Sequence, residues 1–356
     1  CSRLTSLDLS NFDTSNVTNM STMFAYCSSL TNLDVSNFNA PKLTDITDMF
    51  KGLTNLETLN LSNFNAPKIT NMNAMFNMWN GDDDLNSSGS LEKLDLSNFD
   101  TSQVINMYAM FMNCSSLKEL DVSNFNTSMV KTMTGMFLGC KSLIKLDLSN
   151  FDTSNVTDMS SIFQECTNLK ELNLSSFNTS NVTNMRSMFQ NCGSLTNIDV
   201  SSFDTSKVVN MSYMFSGVIV RTLDLLNFDT SKVTIMSNMF GDAKILSINL
   251  SSFDTSSVTD MSSMFYGCKN LTKLDLSNFD TSKVTKTGSP YGMFYGCSNL
   301  KTIYVSDLWN MNNVTKSENM FRACTSLTGA VPFDSTKTDA TMANYITGYL
   351  TYKSNN

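Results

Sequence analysis

The stretch that decides the fold is CKSLIKLDLSNFDTSNVTDMSSIFQEC, residues 140–166. It is one full period of a repeat that fills almost all of the chain. Its apolar residues are Leu143, Leu146, Leu148, Phe151, Val156, Met159, Ile162 and Phe163, with Ser, Thr, Asn, Asp and Lys between them. The alternation Leu146-Asp147-Leu148 is the period-two signature of a half-buried strand. Met159, Ile162, Phe163 and Cys166 stand at i, i+3, i+4 and i+7, the spacing of one side of a short helix. One period therefore reads as strand, turn, loop, helical turn and back to a strand. A single copy cannot hide these residues from water. Copies stacked in register can, because each turn covers the apolar edge of the next.

Outward from that stretch, the Met-Phe step recurs at Phe24, Phe50, Phe76, Phe111, Phe137, Phe163, Phe189, Phe215, Phe240, Phe265, Phe294 and Phe321. That predicts a twelve-turn array over residues 1–327, most turns being 26 residues long. Insertions fall near residues 80–89 and at 286–292, and residues 328–356 read as a C-terminal cap. The expected fold class is a right-handed, leucine-rich-repeat-like solenoid, with one parallel sheet on one face and a short helical turn in each repeat. Phe12, Phe38, Phe64 and their successors to Phe279 form a second inward column, with Leu308 in that place in the last turn.

Composition narrows the function. The 356 residues carry a net charge of −8 and no histidine. The acidic balance argues against a nucleic-acid partner, which needs clustered Lys and Arg. Without histidine there is no Ser-His or Cys-His pair and no imidazole ligand for a metal. No phosphate loop or asymmetric carboxylate pair stands out, so the reading is not an enzyme and needs no cofactor. No apolar run approaches the ~20 residues that span a bilayer as a helix.

Repeats of the form LxxLDLSNFDTSxVTxMxxMFxxC resemble the BspA-type, Mycoplasma-lipoprotein-type branch of leucine-rich-repeat surface proteins. The resemblance covers residues 1–327, and GAVPFD with ANYITGYLTYK resembles the usual close of such arrays in Gram-positive bacterial surface proteins. It implies a secreted or cell-surface protein, anchored through parts outside this sequence, that binds host or neighbouring-cell components. The ordinary leucine-rich repeat has Asn where these turns have Phe12 and Phe38. The resemblance therefore implies that no buried Asn ladder exists here and that stacked phenylalanines replace it.

Several columns are candidates for binding. Asp8, Asp34, Asp95, Asp121, Asp147, Asp199, Asp224 and Asp275 lie between inward leucines and point outward. They form either a face that recruits Ca²⁺ or a basic ligand, or a solvated skin that keeps a long sheet unpaired. A second column, Asp13, Asn39, Asn65 and Asp100 onward, reads as turn chemistry. Asp82, Asp83 and Asp84 in the first insertion are candidate Ca²⁺ ligands. Trp79 takes the phase of a missing cysteine and either plugs the core or stands out as an anchor for a partner. The nine cysteines share one phase, which predicts a column of free thiols, because parallel Cβ vectors suit disulfides poorly. The Thr columns read as turn-forming. The chain is thus expected to be a non-enzymatic recognition or adhesion scaffold for a protein or glycan on another cell or matrix, with self-association a further partner class. The alternative is a spacer or fibre segment with little binding of its own.

Overall fold

The computed structural model describes residues 1–80, 89–288 and 291–354. The chain forms two compact units, one of Cys1–Asn181 with Cys192–Leu195, the other of Val182–Asn191 with Thr196–Asn356. Each unit is a parallel solenoid. In the first, β1 (Asn32–Asp34) pairs with β2 (Thr58–Asn60), and β3 (Lys145–Asp147) with β4 (Glu171–Asn173). In the second, β5 (Thr222–Leu223) pairs with β6 (Ser247–Ile248), and β7 (Lys273–Asp275), β8 (Thr302–Val305) and β9 (Thr351–Tyr352) follow in that order. Inward leucines meet across the pairs: Leu33 lies opposite Leu59, Leu146 opposite Leu172 and Leu274 opposite Ile303. A second parallel ladder of single bridges runs through Asn19, Asp45, Asn71, Asn106, Thr132 and Asp158 in the first unit. Asn184, Asn210, Ile235, Asp260, Lys286 and Lys316 continue the same pattern within the second.

The expected helical turn is replaced by a run of tight turns. Among the described residues the only helix is a three-residue 3₁₀ turn, Ala340–Met342, capped by Asp339. In the stretch from Met159 to Cys166 every other N–H closes a turn: Ile162 donates to Met159, Gln164 to Ser161 and Cys166 to Phe163. The carbonyls of Ser160, Ile162 and Gln164 are left to accept from Gly135, Phe137 and Gly139 of the preceding turn, at 2.8–3.0 Å. An α-helix would keep these groups for itself and leave nothing to join the turns. The geometry requires left-handed backbone at two places per turn, such as Ser161 (φ 58°) and Glu165 (φ 61°). Glycine relieves the strain at Gly139 (φ 73°) and Gly217 (φ 71°), where a Cβ would also lie about 2 Å from Asn113 and Asn191 of the preceding turns.

The apolar spacing still places its residues inward. Met159, Ile162, Phe163 and Cys166 are fully buried. Phe24, Phe50, Phe76, Phe111, Phe137 and Phe163 stack face to face, with centroids 5.6–6.0 Å apart. Phe189 to Phe321 repeat this in the second unit, and the stack ends edge-on against Tyr349. Such pairs contribute about 0.5–1.5 kcal/mol each beyond area burial.

Two polar ladders tie the turns together, and one corrects an expectation. One residue ahead of the Phe column, exposed Asn side chains form the first ladder. Asn150 Nδ2 donates to the carbonyls of Val122, Ser123 and Phe125, at 2.9–3.2 Å. Asn124 does the same to Leu96, Ser97 and Phe99, and Ser176 Oγ substitutes with one bond to Leu148. The corner between strand and Phe exposes these carbonyls, and they need a donor. The second ladder is of buried threonines. Thr101, Thr127 and Thr153 each donate to a carbonyl one turn on and accept the N–H of the same residue. This Thr column joins turns rather than forming them.

The last turn departs by one residue. Trp309, not Leu308, enters the Phe column; it is buried and its Nε1 donates to Ala343 O at 3.0 Å, whereas Leu308 is exposed. The segment after residue 328 covers this end. Tyr349 is fully buried and its hydroxyl donates toward the carbonyls of Asp334 and Lys337 while accepting the N–H of Asp334. Tyr345 and Tyr352 both hydrogen-bond Asp307, and Lys353 ion-pairs with Asp275.

Candidate functional site

The outward side of the strand face is where the sequence placed its candidates. Two residues precede each inward leucine and one follows it. The one that follows is the Asp column. Asp8, Asp34, Asp95, Asp121, Asp147 and Asp199 are exposed, as is Asp224, and Asp275 is half-buried. Each carboxylate accepts the N–H two residues on: Ser10, Ser36, Ser97, Ser123, Ser149, Ser201, Leu226 and Ser277, at 2.9–3.2 Å. The column therefore closes the corner that ends each strand, the work expected only of the second column. That second column does the same, as in Asp152 to Ser154 and Asp204 to Ser206.

These bonds set the electrostatics. The serine N–H is the largest cause holding the carboxyls of Asp8, Asp95 and Asp147 below the usual range. The serine hydroxyl is the largest cause for Asp34, Asp121 and Asp199. Burial raises Asp275, but Lys353 and Ser277 outweigh it and the net shift is downward. Repulsion between Asp95 and Asp121 opposes the trend weakly. Asn60 relieves it elsewhere, its Nδ2 donating to Asp34 at 3.1 Å.

The two positions ahead of the leucine carry no such duty. The first of them runs Thr5, Thr31, Glu57, Glu92, Lys118, Ile144 and Lys170 in the first unit, and Thr196, Arg221, Leu246, Thr272 and Lys301 in the second, all exposed. Their side chains meet across turns, as in Lys118 with Glu92 at 2.8 Å, and Lys145 with Glu171 at 3.5 Å from the next column, and within one turn at Asn32 and Thr31. Sequence reasoning passed over this column. Its signal was the change of residue type from turn to turn beside columns that hardly change.

Trp79 is half-buried, neither a sealed plug nor a free anchor. Its ring lies 5.9 Å from Lys51 Nζ, which also stands 6.0 Å from the Tyr26 ring and 3.2 Å from Asp48. Asp82, Asp83 and Asp84 lie outside the described residues. Among the described residues no three His, Cys, Asp or Glu side chains gather as a metal ion would need. All nine cysteines are free thiols, and eight are buried. Cys140 and Cys166 donate to the carbonyls of Phe111 and Phe137, and Cys297 to Phe265, at 3.0–3.2 Å. Burial pushes Cys114, Cys166, Cys268 and Cys324 up to about 12. These thiols are packing groups rather than nucleophiles. No helix among the described residues is long and apolar enough to cross a membrane.

Comparison with the curated proteins finds none that matches the chain. Among solved structures, a leucine-rich repeat protein from Bacteroides ovatus ATCC 8483 aligns at 16% identity and a TM-score of 0.47, over 89% of this chain and 71% of its own. The functional domain of InlJ from Listeria monocytogenes, which includes a cysteine ladder, aligns at 20% identity and a TM-score of 0.38, over 85% of this chain and 60% of its own. The internalin inlF from Listeria monocytogenes str. 4b F2365 aligns at 13% identity and a TM-score of 0.25, over 82% and 88%. At these scores no feature of those proteins is carried over. The family model described as "Mycoplasma protein of unknown function, DUF285" matches residues 1–87, 86–171, 140–220 and 218–334. With its repeats matched four times over and its turns stacked as parallel solenoids, the chain belongs to that family.

Proposed function

We propose that the chain is a non-enzymatic recognition scaffold of a secreted or cell-surface protein, binding a protein or glycan on another cell or matrix. The observation that carries this reading is the exposed column within each unit, Thr5 to Lys170 in the first and Thr196 to Lys301 in the second. It changes between hydroxyl, acidic, basic and aliphatic side chains from one turn to the next. Beside it the Asp, Asn, Thr and Phe columns are spent on holding the backbone. A scaffold whose fixed residues hold shape while neighbouring positions vary presents many weak contacts at set spacing, and these sum along the array. A uniform spacer has no physical need for such variation.

The test is a glycan and extracellular-matrix array screen with the full chain, repeated with Ile144→Ser, Arg221→Ser and Leu246→Ser combined. Recognition expects at least one saturable ligand that the combined variant loses. No saturable ligand at high micromolar protein would favour the spacer.

A further inference from the structure

The strand face is unpaired at several places in the first unit: one opening, of about 410 Å³, lies between Thr5–Leu7 and β1, and another lies beside β2. β2 pairs with β1 on one side, while on its other side residues 91–96 form neither strand nor bridge. The same two turns are firmly joined at the opposite edge. Asn71 bridges Asn106, and the N–H groups of Met72, Ala74 and Phe76 donate to Asn106, Tyr108 and Met110 at 2.7–3.0 Å. On the strand side the two turns are also joined at both ends of the stretch, by Ser90 N–H to Thr54 O at 2.9 Å and Asn98 Nδ2 to Ser62 O, with Phe64 and Phe99 stacked at 5.4 Å beneath. The turns therefore part only between these contacts, around a wedge of about 620 Å³ lined by Glu57, Thr58, Leu59, Ser90, Glu92 and Lys93, with Asp95 at its end. The gap between the next two turns, from Leu94 to Asn124, holds only about 110 Å³.

The walls of the wedge are backbone with unused hydrogen-bonding groups. Thr58 N–H donates to Thr31, and Asn60 C=O accepts from Val35. In a parallel ladder the residue between them faces the other way, so Leu59 N–H and C=O point into the gap. Lys118 N–H takes Glu92 C=O to the far side, so Lys93 N–H and C=O point back into the gap. Leu59 is half-buried, where its neighbour Leu33 is buried. The rim carries Glu57, Glu92 and Asp95 against Lys93 and against Lys118, which pairs with Glu92 at 2.8 Å, and stays acidic by one charge. The volume is in the range of ordinary ligand sites.

We propose that this wedge receives an extended, basic segment of a partner protein, which adds as a short strand against β2. Its main chain bonds Leu59 and Lys93, one side chain covers Leu59, and alternate Lys or Arg side chains reach Glu57, Glu92 and Asp95. The proposal rests on the recognition reading and gives it a place and a ligand class.

The test uses the full chain and the fluorescent peptide Lys-Val-Lys-Val-Lys, followed by anisotropy. Saturable binding is expected, weakening as salt rises. Glu57→Lys with Glu92→Lys should weaken it at least tenfold, while Glu171→Lys, on the same face but away from the wedge, should not. A peptide N-methylated at both valines should also lose at least tenfold. Equal binding by the N-methylated peptide, or equal loss with Glu171→Lys, would reduce the effect to general charge attraction and overturn the site. So would an absence of saturable binding. A ligand from the array screen that ignores the Glu57/Glu92 pair would leave the recognition reading standing while removing this site from it.

Discussion

The hydroxyl of Thr153 donates to the carbonyl of Asn178 at 2.9 Å and accepts the N–H of the same residue at 2.8 Å. One buried side chain thus satisfies both backbone groups of a residue one turn away. Removing it leaves two polar groups without partners, which costs about 1–3 kcal/mol for each buried group left unsatisfied. Thr153→Val keeps the shape and should lower stability by that order in urea unfolding, whereas Thr153→Ser should lose less. Equal stability of the two variants would show that the hydroxyl is idle.

Gly139 is the second test. A Cβ there would stand 2.2 Å from Asn113 Oδ1, on a residue held at φ 73°. Gly139→Ala should therefore cost about 1–3 kcal/mol through overpacking and left-handed strain together. Adding Asn113→Gly should return the overpacking share and not the strain, a coupling that a double-mutant cycle reads directly. Additive effects of the two changes would contradict the contact.

The thiols give a third. Because the folded state holds the protons of Cys114, Cys166, Cys268 and Cys324 up to about 12, their contribution to stability is intact below about pH 9 and fades as pH climbs from there toward 12. Thermal melts should fall steeply on that alkaline side. At pH 8 iodoacetamide should add one label in the native state, at exposed Cys1, and nine after denaturation, counted by intact mass. Fast labelling of several cysteines without unfolding would refute the burial.

Acid acts through the corner carboxylates. Asp8, Asp34, Asp121, Asp147 and Asp199 sit below the usual range because Ser groups hydrogen-bond their ionised forms. A depressed folded value contributes stability above the ordinary carboxylate value near 4, and that contribution is lost as pH falls through the lower folded values. The melting temperature should drop below about pH 4. Asp147→Asn, matching what Asn173 already does in β4, should soften the drop without unfolding the chain at neutral pH. An unchanged acid profile in a multiple Asp→Asn variant would place the acid sensitivity elsewhere.

The inward columns were legible because burial leaves a direct mark on composition. Leu146, Leu148, Phe151, Val156 and Phe163 all face the core, as their spacing required. The backbone between Met159 and Cys166 was not legible from that spacing. Apolar residues at i, i+3, i+4 and i+7 record which side faces inward, and a helix and a run of four-residue turns share that side. The sign of φ was written in another column, at Gly52, Gly139, Gly217, Gly267 and Gly296 with Asn113 and Asn191 among them, residues that tolerate left-handed backbone. The ladder of Asn150 was not legible because an exposed Asn looks the same in sequence whether it meets solvent or the carbonyls of the preceding turn. The corner role of Asp147 was hidden because an outward carboxylate looks the same in sequence whether it meets solvent or a Ser N–H two residues on.

The doubly bonded threonine has one more consequence. Thr127 meets Asp152 in the same way that Thr153 meets Asn178. The two cut surfaces produced by excising one period would therefore fit each other as well as either fitted the missing piece. A chain with one whole period removed or added within the unit would still find matching surfaces at the new junction.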